Sequence, residues 1–384
     1  LWVCDQTEKS NDTFEDYGLF TQVEQLNKTA LKAHGLDKSG HLYKVNSFDF
    51  HRYEDTIKLA DDPDYNQASF EGMLEIKGDS DHTKLIEMLD ALNDESQKID
   101  DVLDTYFDTE NLVYWLAFQI LTGNCDTQNR NCYLYSSLNS KTWYILDWDN
   151  DGMLRKLELS LAGFSDYASW ERGVSNYWGN VLFNRALRSK SFRSELDRAV
   201  KDLRSYMTEA RLSKMIKHYR EVTESLVFAS PDIDNLPVTK DEYEQIAAAI
   251  PSEIEENYKS YCESYKKPMP FYIGVPQIDN GKLRINWDAS YDFKARDIRY
   301  TVELARDYAI SDVLFKAEDV LLPEVTCDAP DAGQYFVRVR ATNSDGYTQD
   351  AFDYYVTDDG KHYGMKCFYV QDGGKVVEDT YEEG

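Results

Sequence analysis

Residues 143–158 read WYILDWDNDGMLRKLE, and three aspartates alternate within them: Asp147, Asp149 and Asp151. Counted from Asp147, Gly152 takes the sixth position and Glu158 the twelfth. Oxygen ligands at the first, third, fifth and twelfth positions, with glycine at the sixth, form the calcium-loop pattern of an EF-hand. An EF-hand loop must leave a helix, whereas KTWYIL is aromatic and β-branched and reads as a strand. A strand places alternate residues on one face, so the three aspartates are expected side by side. That disposition suits a divalent cation, either catalytic magnesium or bound calcium.

A second polar cluster lies upstream. GNCDTQNRN, residues 123–131, holds Asp126 and Asn131 in the spacing D-x4-N. Between it and the acidic loop, NCYLYSS and KTWYIL are strand-like runs joined by a polar turn, hence a hairpin. This order has a logic for phosphoryl transfer. One aspartate orients the acceptor hydroxyl and takes its proton, and an asparagine and a second aspartate hold magnesium. A lysine on an upstream strand pairs the nucleotide phosphates. Asp126, Asn131 and Asp149 come in that order, and Lys44 of HLYKV is the upstream lysine. Each piece alone is weak, because aspartate and asparagine favour turns and caps and strand lysines are mostly solvated. The signal is their occurrence together.

The elements that must position them are legible. HLYKV alternates, with Leu42 and Lys44 on one face and Tyr43 and Val45 on the other. YGLFTQVEQLN reads as a strand running into a helix start. SDHTKLIEMLDALND and FDTENLVYWLAFQILTGN carry apolar residues at helical spacing. Asp108 or Thr109 caps the second of these helices, and Gly123 ends it. Further helices follow over 178–225 and over KDEYEQIAAAI and SEIEENYKSYCESY. KKPMPFYIGVP, residues 266–276, reads as a linker. KLRINWDAS, IRYTVELARD and GQYFVRVRATNSDGYTQDA then alternate between turns, as in an antiparallel sandwich of about 90 residues.

Composition bounds the partners. The 384 residues carry a net charge of −28, which repels nucleic acid and anionic membrane and favours cations and basic protein segments. No run of 18 apolar residues is present, so no membrane span is expected. No signal peptide is legible, and a start at Leu1 makes that uninformative. The six cysteines, Cys4, Cys125, Cys132, Cys262, Cys327 and Cys367, form no C-x-x-C pair, which argues against zinc. Cys125 and Cys132 bracket a loop and would bridge if it turned back. His34, His41 and His51 flank the lysine strand without zinc-ligand spacing.

Together YGLFTQVEQLN, GHLYK, LEIKGD, LVYWLAFQILTGNCDTQNRNCYLY and WYILDWDND resemble the spore coat protein H (CotH) kinase family over about residues 17–155. That family's fold is a divergent relative of the protein kinases. Its LYK strand supplies the nucleotide lysine, and a loop like N-x-D-x4-N-Y-Y-L-Y with its hairpin precedes a W-D-x-D motif. The resemblance implies Lys44 as that lysine, Asp126 as the catalytic aspartate, and Asn131 and Asp149 as metal ligands. Asp151 is the motif's second aspartate, and Glu75 of LEIKGD is a partner for Lys44. Cys132 replaces the first tyrosine, and no glycine-rich loop precedes the lysine strand. LRINWDAS, YTVEL and YFVRVRATNSDG resemble a fibronectin type III module, with Trp287 as core tryptophan and Tyr335 as tyrosine corner.

The expected fold class is α+β. An atypical kinase-like domain over 1–265 is followed by an all-β immunoglobulin-like, fibronectin type III sandwich over 270–357 and an acidic extension over 358–384 with some β character. The expected function is a secreted or cell-surface bacterial kinase that passes the γ-phosphate of ATP to Ser or Thr of a protein with basic segments. Its cofactors are ATP with Mg²⁺ or Mn²⁺. The alternative is a non-catalytic, pseudokinase-like surface protein with a structural metal site, Ca²⁺ included, at the acidic loop. A carbohydrate-binding surface module is a third option. Oligomeric state and substrate are not legible.

Overall fold

The computed structural model describes residues 1–3, 14–154, 168–358 and 360–379. Glu158, Cys4 and the last five residues lie outside them. The architecture is α+β, with helices and a small sheet first and an all-β region after residue 276.

The first sheet is antiparallel. It comprises β1 (His41–Val45), β2 (Leu74–Ile76), β3 (Cys132–Ser136) and β4 (Tyr144–Asp147), in the order β2-β1-β3-β4. Alternation sorts its faces. Tyr43, Val45, Leu74, Leu134 and Ile145 enter the main core, while Leu42, Tyr133 and Tyr135 enter a second cluster on the opposite face. Lys44 shares that second face, as the alternation of HLYKV requires.

YGLFTQVEQLN does not add a strand. Both edges of β1 are already paired, and residues 17–26 run without regular structure into helix α1 (Lys28–Ala33), which Asn27 caps. Among the described residues the strand pairing nearest to it joins Trp2–Val3 to Glu15–Asp16. The outer edge of β4 is closed by a side chain. Asn111 donates to the Ile145 carbonyl at 3.0 Å and accepts from the Ile145 amide at 2.8 Å.

Helices α2 (Gln67–Met73), α3 (Thr83–Asn93) and α4 (Ile99–Tyr106) lead to α5 (Thr109–Thr122). Asp108 caps α5 by accepting from the Asn111 amide at 2.8 Å. Gly123 ends it at φ 66°, where a Cβ would lie 2.6 Å from Asn257 Nδ2. α5 is buried nearly all round and forms the centre of the core. Then come α6 (Val181–Arg188), α7 (Lys190–Tyr206), α8 (Glu209–Val227) and α9 (Lys240–Ser264). α9 is one helix over both KDEYEQIAAAI and SEIEENYKSYCESY, and Pro251 lies inside it.

The all-β region packs one sheet, running over Val313–Val320, Ile298–Ala305, Gly333–Asn343, Met365–Val370 and Val376–Glu378, against a three-stranded one. Trp287 and Tyr300 pack edge-on at 5.2 Å in its core, and Tyr335 Oη donates back to the Asp331 carbonyl at 2.9 Å. The expected extension at 358–384 needs correcting. Met365–Val370 pairs along Gly333–Asn343, and it buries Met365, Cys367, Phe368 and Val370, so the sandwich continues to Glu378. The 266–276 stretch is packed rather than free, with Met269, Phe271 and Ile273 buried. Phe352 and Met269 join the first core, Trp178 stacks on Tyr291 at 5.3 Å, and Gln349 donates to Ser169 at 2.8 Å. The two regions therefore share an interface.

Candidate active site at the Asp126 turn and the acidic loop

The C-terminal end of α5 opens a tight turn. Asn124 Oδ1 accepts the Asp126 amide at 3.3 Å. Below it, Tyr177 Oη lies 2.9 Å from Thr127 Oγ1 and donates to the Asn124 carbonyl at 3.1 Å. Asn131 then turns through φ 58° to start β3. Its Nδ2 donates to Asp126 Oδ2 at 2.7 Å, and the Arg130 guanidinium lies 3.6 Å from the other oxygen. Asp126 and Asn131 are therefore a hydrogen-bonded pair on a half-exposed turn.

The acidic loop does not continue the β4 strand. β4 ends at Asp147, Asp149 takes φ 55°, and Asn150–Gly152 form a 3-10 turn. The three aspartates consequently do not share a strand face. Instead the loop folds back. The Leu154 amide donates to the Thr122 carbonyl at 2.8 Å, and a Cβ on Gly152 would stand 2.9 Å from Asn124 Oδ1 and 3.2 Å from the Asp126 Cβ. Gly152 is what lets the loop close on the Asp126 turn.

Asp147 anchors this closure. Gln119 Nε2 donates to its Oδ1 at 2.7 Å and Asn150 Nδ2 to its Oδ2 at 2.6 Å. Asn124 Nδ2 reaches Asn150 Oδ1 at 3.3 Å. Asp147 is an exposed residue, but its carboxylate faces these amides. Burial of the charge raises its pKa, and the hydrogen bonds from Asn150 and Gln119 oppose that shift. Asp149 and Asp151 are exposed and make no side-chain hydrogen bond or ion pair among the described residues.

Lys44 lies on the same sheet end. It is opposite Tyr133 on β3 and Glu75 on β2, one residue in from the Val45–Cys132 pair, and Cys132 in turn faces Asp147. Its ammonium sits 5.9 Å from the ring centre of Trp148, between the first two aspartates, and that ring packs edge-on against Tyr133 at 5.4 Å. Glu75 is the cross-strand neighbour of Lys44, but its ion pair is with Lys77 at 2.5 Å. Cys132 fills the core under this end, and burial pushes its thiol up to about 12. Cys125 Sγ donates to the Glu171 carbonyl at 3.1 Å rather than bridging to Cys132.

The oxygen donors fit a hard divalent ion. The bond to Asp126 fixes the Asn131 amide so that Oδ1 remains as acceptor, and the exposed carboxylates of Asp149 and Asp151 belong to the loop that closes on the Asp126 turn. Among the described residues no three acidic, histidine or cysteine side chains form a ready-made chelate. Such an ion would need oxygens from a second ligand, as magnesium at phosphates does. Beside the loop a cleft of about 450 Å³ is lined by Leu26, Leu31, Trp115, Phe118, Leu146 and Asp147.

The CotH kinase protein family model matches residues 8–261. The chain belongs to this family. No curated protein matches it. Among solved structures, the "Twitchin kinase region from C.elegans (Fn31-NL-kin-CRD-Ig26)" aligns at 19% identity over 25% of this chain and 20% of that one, with a TM-score of 0.19. A superposition so partial carries no argument about fold or function. In this CotH chain the all-β region lies beyond the family match. No helix among the described residues is long and apolar enough to cross a membrane.

The reading of the sequence missed Gln119, Asp147 as an anchor, Asn124 and Trp148. Gln119 had a usable signal, being the lone polar side chain in the run LVYWLAFQIL of a helix otherwise buried. Asp147 had none, because three alternating aspartates look alike until the turn at Asp149 is known.

Proposed function

We propose that this CotH-family chain is a protein kinase that transfers the γ-phosphate of ATP to a Ser or Thr hydroxyl. The observation that carries the reading is the convergence of three features on one sheet end: the Asp126–Asn131 pair, the open carboxylates of Asp149 and Asp151, and Lys44. Asp126, oriented by Asn131, takes the proton of the acceptor hydroxyl. Asn131 Oδ1 and Asp149 hold Mg²⁺ or Mn²⁺, with Asp151 assisting. When bound, the metal supplies charge neutralisation at the phosphate oxygens. Lys44 leaves the Trp148 ring to pair the phosphates, while Glu75 on the neighbouring strand keeps its ion pair with Lys77. The cleft of about 450 Å³ has the size and apolar lining of a small-molecule site and seats the base.

The net charge of −28 favours acceptor segments rich in Lys and Arg. The Tyr335 bond and the buried Trp287 support a fibronectin type III-like sandwich, a type of module common on secreted and surface-displayed bacterial chains. Thermal denaturation with ATP and Mg²⁺ or Mn²⁺ tests the site, because a ligand of the folded state raises the melting temperature. A shift abolished by Asp149→Ala, together with labelled phosphate on a basic protein acceptor, is expected. A calcium shift alone, with none from nucleotide, would instead assign the loop to a structural ion and the chain to a binding role.

A further inference from the structure

Residues 173–180, GVSNYWGN, form the 3-10 turn and bend that lead into α6, and all but Gly179 are buried. A polar side chain buried so deeply needs a hydrogen-bond partner, and three of them find it in the Asp126 turn. Asn176 Oδ1 accepts from Gln128 Nε2. Tyr177 Oη donates to the Asn124 carbonyl and pairs with Thr127 Oγ1. Asn180 Nδ2 donates to the Gln128 carbonyl at 2.8 Å, while its Oδ1 accepts the Leu182 amide at 3.0 Å and caps α6.

Trp178 and Gly179, between these residues, meet the all-β region. Trp178 stacks on Tyr291 at 5.3 Å and packs edge-on against Phe293 at 5.7 Å. Both partners belong to the loop between strands Lys282–Asn286 and Ile298–Ala305. The Arg188 guanidinium lies 5.4 Å from the Trp178 ring centre and 5.3 Å from that of Tyr291, closing the stack. A Cβ on Gly179 would stand 3.1 Å from Tyr272 Oη and 3.5 Å from the Phe352 ring. The start of the segment is fixed as well. Gly173 passes α9 so closely that a Cβ would lie 2.6 Å from Ser264 Oγ, which accepts the Val174 amide at 3.2 Å. Close-packed interiors transmit strain rather than absorb it, so a shift on the sandwich side is passed to the turn.

We propose that the all-β region is a buttress of the Asp126 turn, acting through residues 173–180. Tyr177 and Asn180 are positioning residues. They hold the backbone carbonyls of Asn124 and Gln128, on either side of Asp126, and Trp178 ties them to Tyr291. A base must stand within hydrogen-bond reach of the proton it takes, and a misplacement of about 1 Å caused from a distance costs about a hundredfold in rate. The sandwich thus sets geometry at Asp126 rather than standing beside it as a spacer. The effect on transfer rests on the kinase reading above; the mechanical coupling does not.

The test uses the full chain and two readouts. Tyr291→Ala empties the Trp178 stack from the sandwich side, and Tyr291→Phe keeps it. Hydrogen exchange followed by mass spectrometry should be faster over residues 124–131 in Tyr291→Ala, unchanged over β1, and like the parent in Tyr291→Phe. Should Tyr291→Ala not fold, Tyr291→Leu takes its place, because it keeps apolar volume without the stack. In transfer assays Tyr291→Ala and Tyr177→Phe should each lower kcat by about tenfold with the KM for ATP unchanged. The double variant should lose no more than the worse single one, since both act on one route. Exchange over 124–131 that stays at the parent level, or that rises equally over β1, overturns the proposal, as does full additivity in the double variant. Transfer by the parent with unchanged exchange would leave the kinase reading standing without the buttress. A localised rise in exchange with no transfer by the parent would remove the kinase reading and leave the buttress.

Discussion

Asp147 and Asp149 stand two residues apart in one acidic loop, both exposed, but only one carboxylate has partners among the described residues. Asp147 is held by Gln119 and Asn150, and burial raises its pKa. Asp149 is exposed, left-handed at φ 55°, and without a side-chain partner among the described residues. A non-glycine residue in that conformation costs about 1–2 kcal/mol and persists only where its surroundings fix it. Here the base of the loop does the fixing. One carboxylate is consumed in shaping the loop, and the shape leaves the next one open to a ligand. Identical chemistry in sequence thus divides into scaffold and site.

The sharpest way to break this contrast is to exchange the two roles by mutation. Asp149→Ala should lower phosphoryl transfer by at least about a hundredfold while leaving folding stability within about 0.5 kcal/mol. Denaturant unfolding beside a transfer assay reads both, and a large loss of stability would show that Asp149 is scaffold as well. Gln119→Leu should do the reverse in emphasis. It removes a buried donor from Asp147 and should destabilise by about 1–3 kcal/mol, with a smaller loss of transfer. Unchanged stability in that variant would remove Asp147 as the anchor.

Titration sharpens the contrast further. Burial raises the Asp147 pKa above the ordinary 3.8, so just above that value the folded chain binds more protons than the unfolded chain. Stability therefore falls as pH rises from 3.8 towards the raised value. Asp147→Asn should flatten this slope relative to the parent chain, as read by denaturant unfolding across that pH range. The smallest effect belongs to Glu75. Its ion pair is with Lys77, so Glu75→Gln should change transfer by less than about threefold, within the worth of one exposed pair. A loss as large as that of Lys44→Met would show that Glu75 turns to Lys44 when nucleotide binds.

Local patterns were readable where one residue fixes one feature. Asp108 and Gly123 bound α5 as their capping chemistry dictates, and HLYKV splits its residues between two faces. The pairing of Asp126 with Asn131 could be suspected from order alone, but the hydrogen bond between them depends on Asn131 adopting φ 58°. The acidic loop was misread as strand because periodicity cannot reveal where β4 stops. YGLFTQVEQLN has strand composition, yet a strand also needs a free edge, and both edges of β1 are taken. The stretch GKHYGMKCFYV shows some β character, but its place in a sheet is not legible. Its apolar residues are diluted by lysines and flanked by acidic runs, and only a partner such as Gly333–Asn343 reveals which face is buried.

That late strand has a consequence for how the molecule is made. Met365–Val370 lies between Gly333–Asn343 and Val376–Glu378, inside the sheet rather than at its rim. During synthesis the earlier strands of the sandwich must wait, with one edge open, until residues 365–370 have emerged. An open edge is a template for pairing with other chains, so the interval between residue 343 and residue 370 is when a nascent copy is most exposed to a neighbour on the same messenger.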